Sequence, residues 1–108
     1  MIMEVRHYLT ASGIDVFQSW LDGLKDVKAR VAILRRIDRI SEGNLGDHKF
    51  LRDGVSEVRV HLGAGNRVYY GKHGKALVLL LSGGSKRAQA EDIARAVEFW
   101  MDYRRRQT

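Results

Sequence analysis

Four side chains in the middle of the sequence have the types that phosphate chemistry requires. Arg59 and His61 alternate with apolar residues, and Arg67 and Tyr69 follow with the same spacing. Arginine donates two parallel hydrogen bonds to phosphate, imidazole exchanges a proton near neutral pH, and an aromatic ring stacks on an unpaired base. This set suits metal-free cleavage of RNA, in which the ribose 2′-hydroxyl attacks phosphorus while a base, an acid and nearby cations assist.

The register between two strands decides whether these side chains meet. Arg59 and His61 have the same parity and should share one sheet face, as should Arg67 and Tyr69. The sequence does not show whether the two pairs share the same face. In the alternative interpretation, both arginines form exposed ion pairs with Glu57 or with helix acids, contributing about 0–1 kcal/mol each. His61 would then be a half-exposed strand histidine without a role.

Two tyrosines and a glycine-rich turn offer further contacts. Tyr69 and Tyr70 differ in parity, so one should pack inward, and we expect Tyr69 to be the exposed one. Residues 83–86, Gly-Gly-Ser-Lys, are predicted to end a strand and open a helix, where free amides and Lys86 could hold a phosphate. A simple strand-to-helix turn explains this segment equally well, and its spacing is not that of a Walker loop.

Positive charge is concentrated in one segment of the chain. Residues 58–90 contain no Asp or Glu but six Lys and Arg, whereas the other 13 Lys and Arg are matched by all 13 Asp and Glu. A net charge of +6 favours a polyanionic partner, although a short acid-free stretch can also arise by chance and solvate a face. We predict RNA as the target, with two groups of residues. The catalytic residues are Arg59, His61, Arg67 and Lys86, and the RNA-binding residues are Tyr69, Lys72, Arg87 and Lys49.

Length and composition limit the class of protein. A chain of 108 residues with 44% hydrophobic and 30% charged residues is typical of one globular domain, here residues 1–108. It contains no Cys, and its four His show no ligand spacing, so we expect no metal and no cofactor. The longest apolar run, residues 76–81, is too short to cross a bilayer, and the N-terminus lacks a signal-peptide pattern. These features predict a cytoplasmic protein without a membrane partner.

The first half of the sequence predicts one strand and two helices. An edge strand is indicated by Ile2, Val5 and Leu9. Ser12 and Asp15 match a capping box, followed at helical spacing by Ile14, Phe17, Leu21 and Leu24. Asp26 should cap a second helix that stops at Gly43–Asn44 and has an apolar stripe of Val27, Val31, Leu34, Ile37 and Ile40. We expect these helices to form an antiparallel hairpin.

The second half predicts antiparallel strands and a last helix. Phe50 begins a short extended segment, residues 57–62 alternate, and alternation resumes after a turn at residues 63–66. The apolar run 76–81 should be a central strand covered on both faces. Ser85 can then cap a helix with an apolar stripe of Ala90, Ile93, Ala94, Val97 and Met101. The predicted fold class is α+β in the order β-α-α-β-β-β-α, with an antiparallel-dominated sheet, an N-terminal helical hairpin and a C-terminal helix.

Several of these segments give the chain a resemblance to a known superfamily. The main ones are Val55–Val60, Gly63–Tyr70 and Leu80–Lys86, and further similarity lies in Gln89–Ala94, Phe17–Leu21 and Arg36–Arg39. The chain resembles the RelE/ParE toxin superfamily, and most closely its HigB-like group, the phage-derived addiction module killer proteins. The resemblance spans nearly the whole chain and implies a RelE-like fold.

This resemblance implies a type II toxin that cleaves messenger RNA on the translating ribosome. Such toxins are held inactive by an antitoxin, commonly a helix-turn-helix DNA-binding protein. The match places Arg59, Arg67 and Lys86 at positions rich in phosphate-contacting cations, and His61 where relatives carry Arg or another polar group. No tyrosine follows shortly after Lys86, so the family's stacking role would fall to Tyr69. The superfamily's other branch poisons DNA gyrase without cutting RNA, and a non-enzymatic RNA-binding module is a third possibility.

Overall fold

The protein is a five-stranded sheet with helices on both faces, in a computed structural model that describes residues 2–63 and 65–107. The strands are β1 (Glu4–His7), β2 (His48–Arg52), β3 (Val55–Val60), β4 (Asn66–His73) and β5 (Leu77–Ser85). The helices are α1 (Val16–Gly23), α2 (Val27–Ser41) and α3 (Gln89–Arg106), and a 3₁₀ turn, Lys86–Ala88, precedes α3. Among the described residues, none of these helices has an apolar stretch long enough to span a bilayer.

The strand order is β1-β5-β4-β3-β2. β1 is an edge strand, as predicted, and runs parallel to β5, whereas the other three neighbouring pairs are antiparallel. The predicted α+β class and the antiparallel-dominated sheet are therefore confirmed. The predicted turn at residues 63–66 joins β3 to β4, and its Ala64 lies outside the described residues.

Two apolar cores lie on opposite faces of the sheet. Under α1 and α2, the sheet contributes Val58, Val60, Val68, Tyr70, Val78 and Leu80. Under α3, it contributes Val55, Tyr69, Leu79 and Leu81. Strand β5 supplies both cores because it lies inside the sheet, where a strand buried on both faces needs a continuous apolar run. The predicted central strand is confirmed.

β2 contains the extended segment predicted from Phe50, but the predicted order does not include it as a strand, so the count of four strands is wrong. Four of its five residues are exposed, and no apolar alternation marks it. It is joined to β3 by Asp53 and Gly54, which have φ angles of 51° and 86°. An Asp-Gly pair favours this tight turn because both positions need left-handed backbone. The sequence signal for this hairpin was therefore its turn and not its hydrophobic pattern.

The N-terminal helices differ in detail from the predicted hairpin. α1 packs chiefly on β5 while α2 packs over β1 and β3, so each helix contacts the sheet more than it contacts the other helix. Asp26 caps α2 as predicted, accepting a hydrogen bond from Ala29 N at 3.2 Å. The predicted capping box is wrong, since Asp15 rather than Ser12 caps α1, accepting from Gln18 N at 3.0 Å.

The buried stripes of α2 and α3 are rotated from the predicted ones. The buried residues are Ala29, Ile33 and Ile40 in α2, and Ala96, Val97 and Trp100 in α3. The predicted stripe residues that are exposed instead are Val27, Val31, Leu34, Ala90, Ala94 and Met101. Each helix thus buries an alanine, Ala29 in α2 and Ala96 in α3. Periodicity alone does not distinguish such an alanine from a surface residue.

Strand β5 continues through the glycines that were expected to end it. Its pairing with β4 extends to Ser85, opposite Asn66. Glycine is required near the end of this strand, because the side chains of Trp20 and Asp92 occupy the space that a Cβ would need at residues 83 and 84. Ser85 makes no side-chain capping bond, and the 3₁₀ turn separates it from α3. The predicted strand break and Ser85 cap are therefore wrong.

Candidate functional site

The two arginines predicted for catalysis lie directly opposite each other in the sheet. In the ladder between β3 and β4, Arg59 is paired with Arg67, and Glu57 is paired with Tyr69. Paired residues project from the same face, which here is the face that α3 covers. The register that the sequence left open therefore brings both guanidinium groups together.

A buried carboxylate connects these two guanidinium groups. Glu57 is 0% exposed, its Oε2 accepts a hydrogen bond from Arg59 Nε at 2.8 Å, and its Oε1 lies 3.6 Å from Arg67 Nε. Gln89, at the start of α3, donates from Nε2 to Glu57 Oε1 at 3.1 Å. The hydrogen bond to Glu57 raises the pKa of the Arg59 guanidinium. We call Glu57, Arg59, Arg67 and Gln89 the ionic cluster.

The ionic cluster is a structural unit as well as a cationic one. A buried carboxylate is costly unless it is paired and hydrogen-bonded, so the two arginines and Gln89 hold Glu57 in place. Pairing with Glu57, which the alternative interpretation expected, is confirmed, but the carboxylate is buried rather than exposed. The ionic cluster is therefore not the exposed, weakly stabilising ion pair that the alternative interpretation described.

The two arginines differ in what they leave for a ligand. The Arg59 side chain is 31% exposed, and within the described residues its Nη atoms have no hydrogen-bond acceptor. Arg67 is less exposed, and its Nη1 donates to the Gly65 carbonyl at 2.9 Å. Arg59 thus offers the more accessible fork of N–H donors, and Arg67 supplies charge from a fixed position.

Two predicted lysines border the ionic cluster. Lys49 on β2 is paired with Glu57 in the ladder and so lies on the same sheet face. The Lys86 backbone N–H donates to the Gly65 carbonyl at 3.0 Å, and Arg67 contacts this same oxygen. Both lysines are exposed. The structure therefore brings Lys49 and Lys86 beside the arginines.

His61 lies just beyond the end of β3, so it does not continue the strand alternation. Its Nε2 is 2.5 Å from Asp47 Oδ2, and this hydrogen bond lowers the pKa of the Asp47 carboxyl. The Asp47 backbone carbonyl in turn accepts the Arg59 N–H at 2.9 Å. The imidazole is exposed, oriented by a carboxylate, and close to the Arg59 end of the cluster.

Tyr69 is not the exposed stacking residue that the sequence predicted. Its parity does place it on the opposite sheet face from Tyr70, but α3 covers that face and Tyr69 is 0% exposed. Burial, assisted by the nearby Asp92 and Glu57 carboxylates, raises the pKa of Tyr69 to about 12. Its hydroxyl has no hydrogen-bond partner within the described residues. The prediction of an exposed Tyr69 is wrong.

Lys72 and Arg87 are the remaining predicted RNA-binding residues, and only Arg87 is near the ionic cluster. Lys72 is near the far end of β4 and pairs with Val78, which belongs to the core under α1 and α2. It therefore projects from the other sheet face. Arg87 is exposed in the 3₁₀ turn, next to Lys86 in sequence.

A cavity of about 500 Å³ opens between α1, the end of β5 and the start of α3. Its lining includes Trp20, Ser82 and Asp92, and burial raises the pKa of the Asp92 carboxyl. The Ser82 hydroxyl is buried without a partner among the described residues. Neither Gln89 nor Asp92 is among the site residues predicted from the sequence. Their i, i+3 spacing, which places two polar side chains on one helix face, was the available signal.

Comparison with known proteins identifies a relative of this chain. No sequence model of a known protein family matches the chain. An uncharacterized protein of Haemophilus influenzae is 45% identical to it over 96 residues, which cover 89% of this chain and 91% of that protein. The similarity therefore extends over nearly the full length of both proteins.

Proposed function

This chain belongs to the same family as the Haemophilus influenzae protein, and we propose that it is the toxin of a type II toxin–antitoxin pair. In this proposal it is a cytoplasmic endoribonuclease that cleaves messenger RNA on the ribosome without a metal. A cognate antitoxin, commonly a helix-turn-helix DNA-binding protein, holds it inactive. The observation that carries the proposal is the pairing of Arg59 and Arg67 across two strands, fixed by the buried Glu57. The resemblance to the RelE/ParE superfamily supports it.

The cluster's role in this reaction is to bind and stabilise the scissile phosphate. Arg59 donates from its free Nη atoms to the phosphate oxygens, while Arg67 adds positive charge beside it. Lys49 and Lys86 contact the flanking phosphates. Glu57 is a positioning residue, because it fixes the orientation of the guanidinium groups before substrate binds.

His61 carries the proton transfer in this proposal. The 2′-oxygen forms a bond to phosphorus as the bond from phosphorus to the 5′-oxygen breaks. The imidazole of His61 takes the proton of the 2′-hydroxyl and passes a proton to the leaving 5′-oxygen, and the products end in a 2′,3′-cyclic phosphate and a 5′-hydroxyl. Asp47 orients the imidazole for this exchange, as carboxylates do for catalytic histidines. DNA lacks the 2′-hydroxyl and is not a substrate.

The test is primer extension on translated mRNA after brief expression of the full chain. We expect new 5′ ends within coding sequence, and their suppression when the adjacent antitoxin gene is expressed as well. Intact mRNA with accumulated DNA breaks would contradict this proposal and favour a gyrase poison. Intact mRNA without growth arrest would instead favour a non-enzymatic RNA-binding module.

A further inference from the structure

A second cavity, of about 670 Å³, lies at the end of α3 remote from the ionic cluster. It opens at the end of the sheet, where the β2–β3 turn, the β4–β5 turn and the last turns of α3 meet. Its lining therefore includes residues of both sheet faces, because Phe50 and Lys72 project from the face under α1 and α2 whereas α3 covers the other face. The side chains that give it chemical character are Phe50, Lys72, His73, Trp100, Tyr103 and Arg104. We call this the aromatic cavity.

Aromatic rings form much of its wall. Phe50 is 63% exposed on the edge strand β2. Tyr103 stacks on Trp100, with ring centroids 5.6 Å apart and 19° between the planes. The Tyr103 hydroxyl lies 3.0 Å from His73 Nδ1, which holds the imidazole at the rim. The exposed phenylalanine gives this cavity a free ring face, which is suited to stacking with a planar ring.

The charged residues of the aromatic cavity are all cationic. Lys72 and Arg104 are exposed, and no Asp or Glu contributes to the lining. Within the described residues neither cation forms an ion pair. Their charge is therefore available to an anionic group, and Arg104 can bind phosphate through two N–H donors.

Trp100 adds a polar group that lacks a partner. Trp100 is 5% exposed, and its Nε1 lies beside Gly54 in the cavity wall. Within the described residues this nitrogen has no hydrogen-bond acceptor. Buried N–H donors without acceptors are rare in native proteins. This donor lies within the wall and is closed to solvent, so recognition of a ligand falls to the rings and cations of the cavity.

We infer that the aromatic cavity binds a nucleotide, with its base against Phe50 and its phosphate at Lys72 and Arg104. The volume falls within the range of about 300–1,000 Å³ found for small-molecule sites. The combination of aromatic walls, cations and absent acids matches a base joined to a phosphate. The nucleotide is either free or one unit of single-stranded RNA, and this inference does not depend on nuclease activity.

The test is isothermal titration calorimetry of the full chain with 5′-AMP, adenosine and a hexaadenylate RNA. We expect AMP to bind more tightly than adenosine. Phe50→Ala should weaken AMP binding about tenfold, the scale of losing one base stacking contact. Arg104→Ala should weaken AMP binding while leaving adenosine unchanged. Leu34→Ala and Arg35→Ala, which remove an exposed apolar residue and an exposed cation from α2, should change neither.

The outcomes separate the two sources of the nucleotide and the two proposals. Tighter binding of the RNA than of AMP, lost in Phe50→Ala, supports a nucleotide within a strand, whereas tighter binding of AMP supports a free nucleotide. AMP and RNA binding that are absent, or that Phe50→Ala and Arg104→Ala leave unchanged, would overturn the inference. Arg59→Gln should leave AMP binding intact, so loss of cleavage and loss of this site are distinguishable.

Discussion

The two ends of α3 hold positive charge in different ways. At the N-terminal end, Arg59 and Arg67 share the buried Glu57. At the C-terminal end, Lys72 and Arg104 have no acidic neighbour in the cavity that they line. Cations that share a buried carboxylate have fixed positions and suit one geometry of phosphate. Cations without a counter-charge keep their mobility and attract any anion that approaches.

The largest expected effect concerns the carboxylate at the N-terminal end. Glu57→Ala leaves two guanidinium groups without their shared partner, one of them largely buried. Because Arg59 is partly exposed to water, we expect the lower part of the known range, a loss of about 3 kcal/mol in the free energy of unfolding. Urea denaturation measures this loss. Glu98→Ala, an exposed acid of α3, is the control and should change stability by about 0.5 kcal/mol or less.

An equal, small effect of both substitutions would show that the ionic cluster has no structural role. The cations at the two ends of α3 would then differ only in whether an acid lies nearby, and not in how firmly they are positioned.

The other end of α3 depends on packing instead of charge. Trp100 occupies the space that a Cβ would need at residue 71, so Gly71→Ala should cost about 1–3 kcal/mol by overpacking. The matched control is Gly23→Ala, where an added Cβ meets nothing within 4 Å. Thermal unfolding of the two variants compares them. A stable Gly71→Ala variant would mean that the indole is free to move within the aromatic cavity.

A buried hydroxyl in the core under α3 gives a prediction of opposite sign. Tyr69 buries an O–H without a partner, so Tyr69→Phe should raise the free energy of unfolding by about 1 kcal/mol. Tyr8→Phe is the matched control, since the Tyr8 hydroxyl donates to Asp102 at 2.6 Å and its removal should lower stability by a similar amount. Chemical denaturation of both variants tests the pair. If Tyr69→Phe lost stability, its hydroxyl would have a partner, such as a bound water.

The smallest expected effect is a dependence on pH near the ionic cluster. Burial raises the pKa of Asp92, so the folded protein holds this proton more tightly than the unfolded chain. Its stabilising contribution is present in full below the unfolded pKa and is lost as pH rises through the folded value. Asp92→Asn should therefore be slightly more stable than the parent protein at neutral pH, and the gain should vanish in acid.

Asp47→Asn provides the contrasting sign for this titration. The hydrogen bond from His61 lowers the pKa of Asp47, so its contribution is present above the unfolded pKa and is lost as pH falls through the folded value. Asp47→Asn should be less stable than the parent protein at neutral pH. Urea denaturation across the acid range checks both variants, and parallel curves for them would contradict the assignment.

Local features of the sequence predicted local features of the fold. The Asp26 cap and the apolar run of β5 depend on neighbouring residues, and both are confirmed. The Asp53–Gly54 turn was equally readable and, together with the extended segment predicted from Phe50, would have added β2 to the predicted strand order. The burial of Tyr69 was not, because it depends on how α3 packs on a distant strand.

The candidate site shows the same limit. Strand parity correctly grouped Arg67 with Tyr69, but only the register could show that Arg59 and Arg67 meet. Glu57 precedes the acid-free segment by one residue, so charge counting placed it outside the region that it stabilises. The aromatic cavity joins segments far apart in sequence, and no local motif marks it.

In the proposed function, the arginine pair fixed by Glu57 acts on messenger RNA. Single-turnover cleavage in a reconstituted translation system tests it most directly, with Arg59→Gln compared against Arg39→Gln, an exposed cation of α2. Loss of a donor that stabilises transition-state charge costs about 10²–10³ in rate. We predict a loss of this size for Arg59→Gln while its unfolding transition remains cooperative, and an unchanged rate for Arg39→Gln. Cleavage by Arg59→Gln at the parent rate would contradict the account.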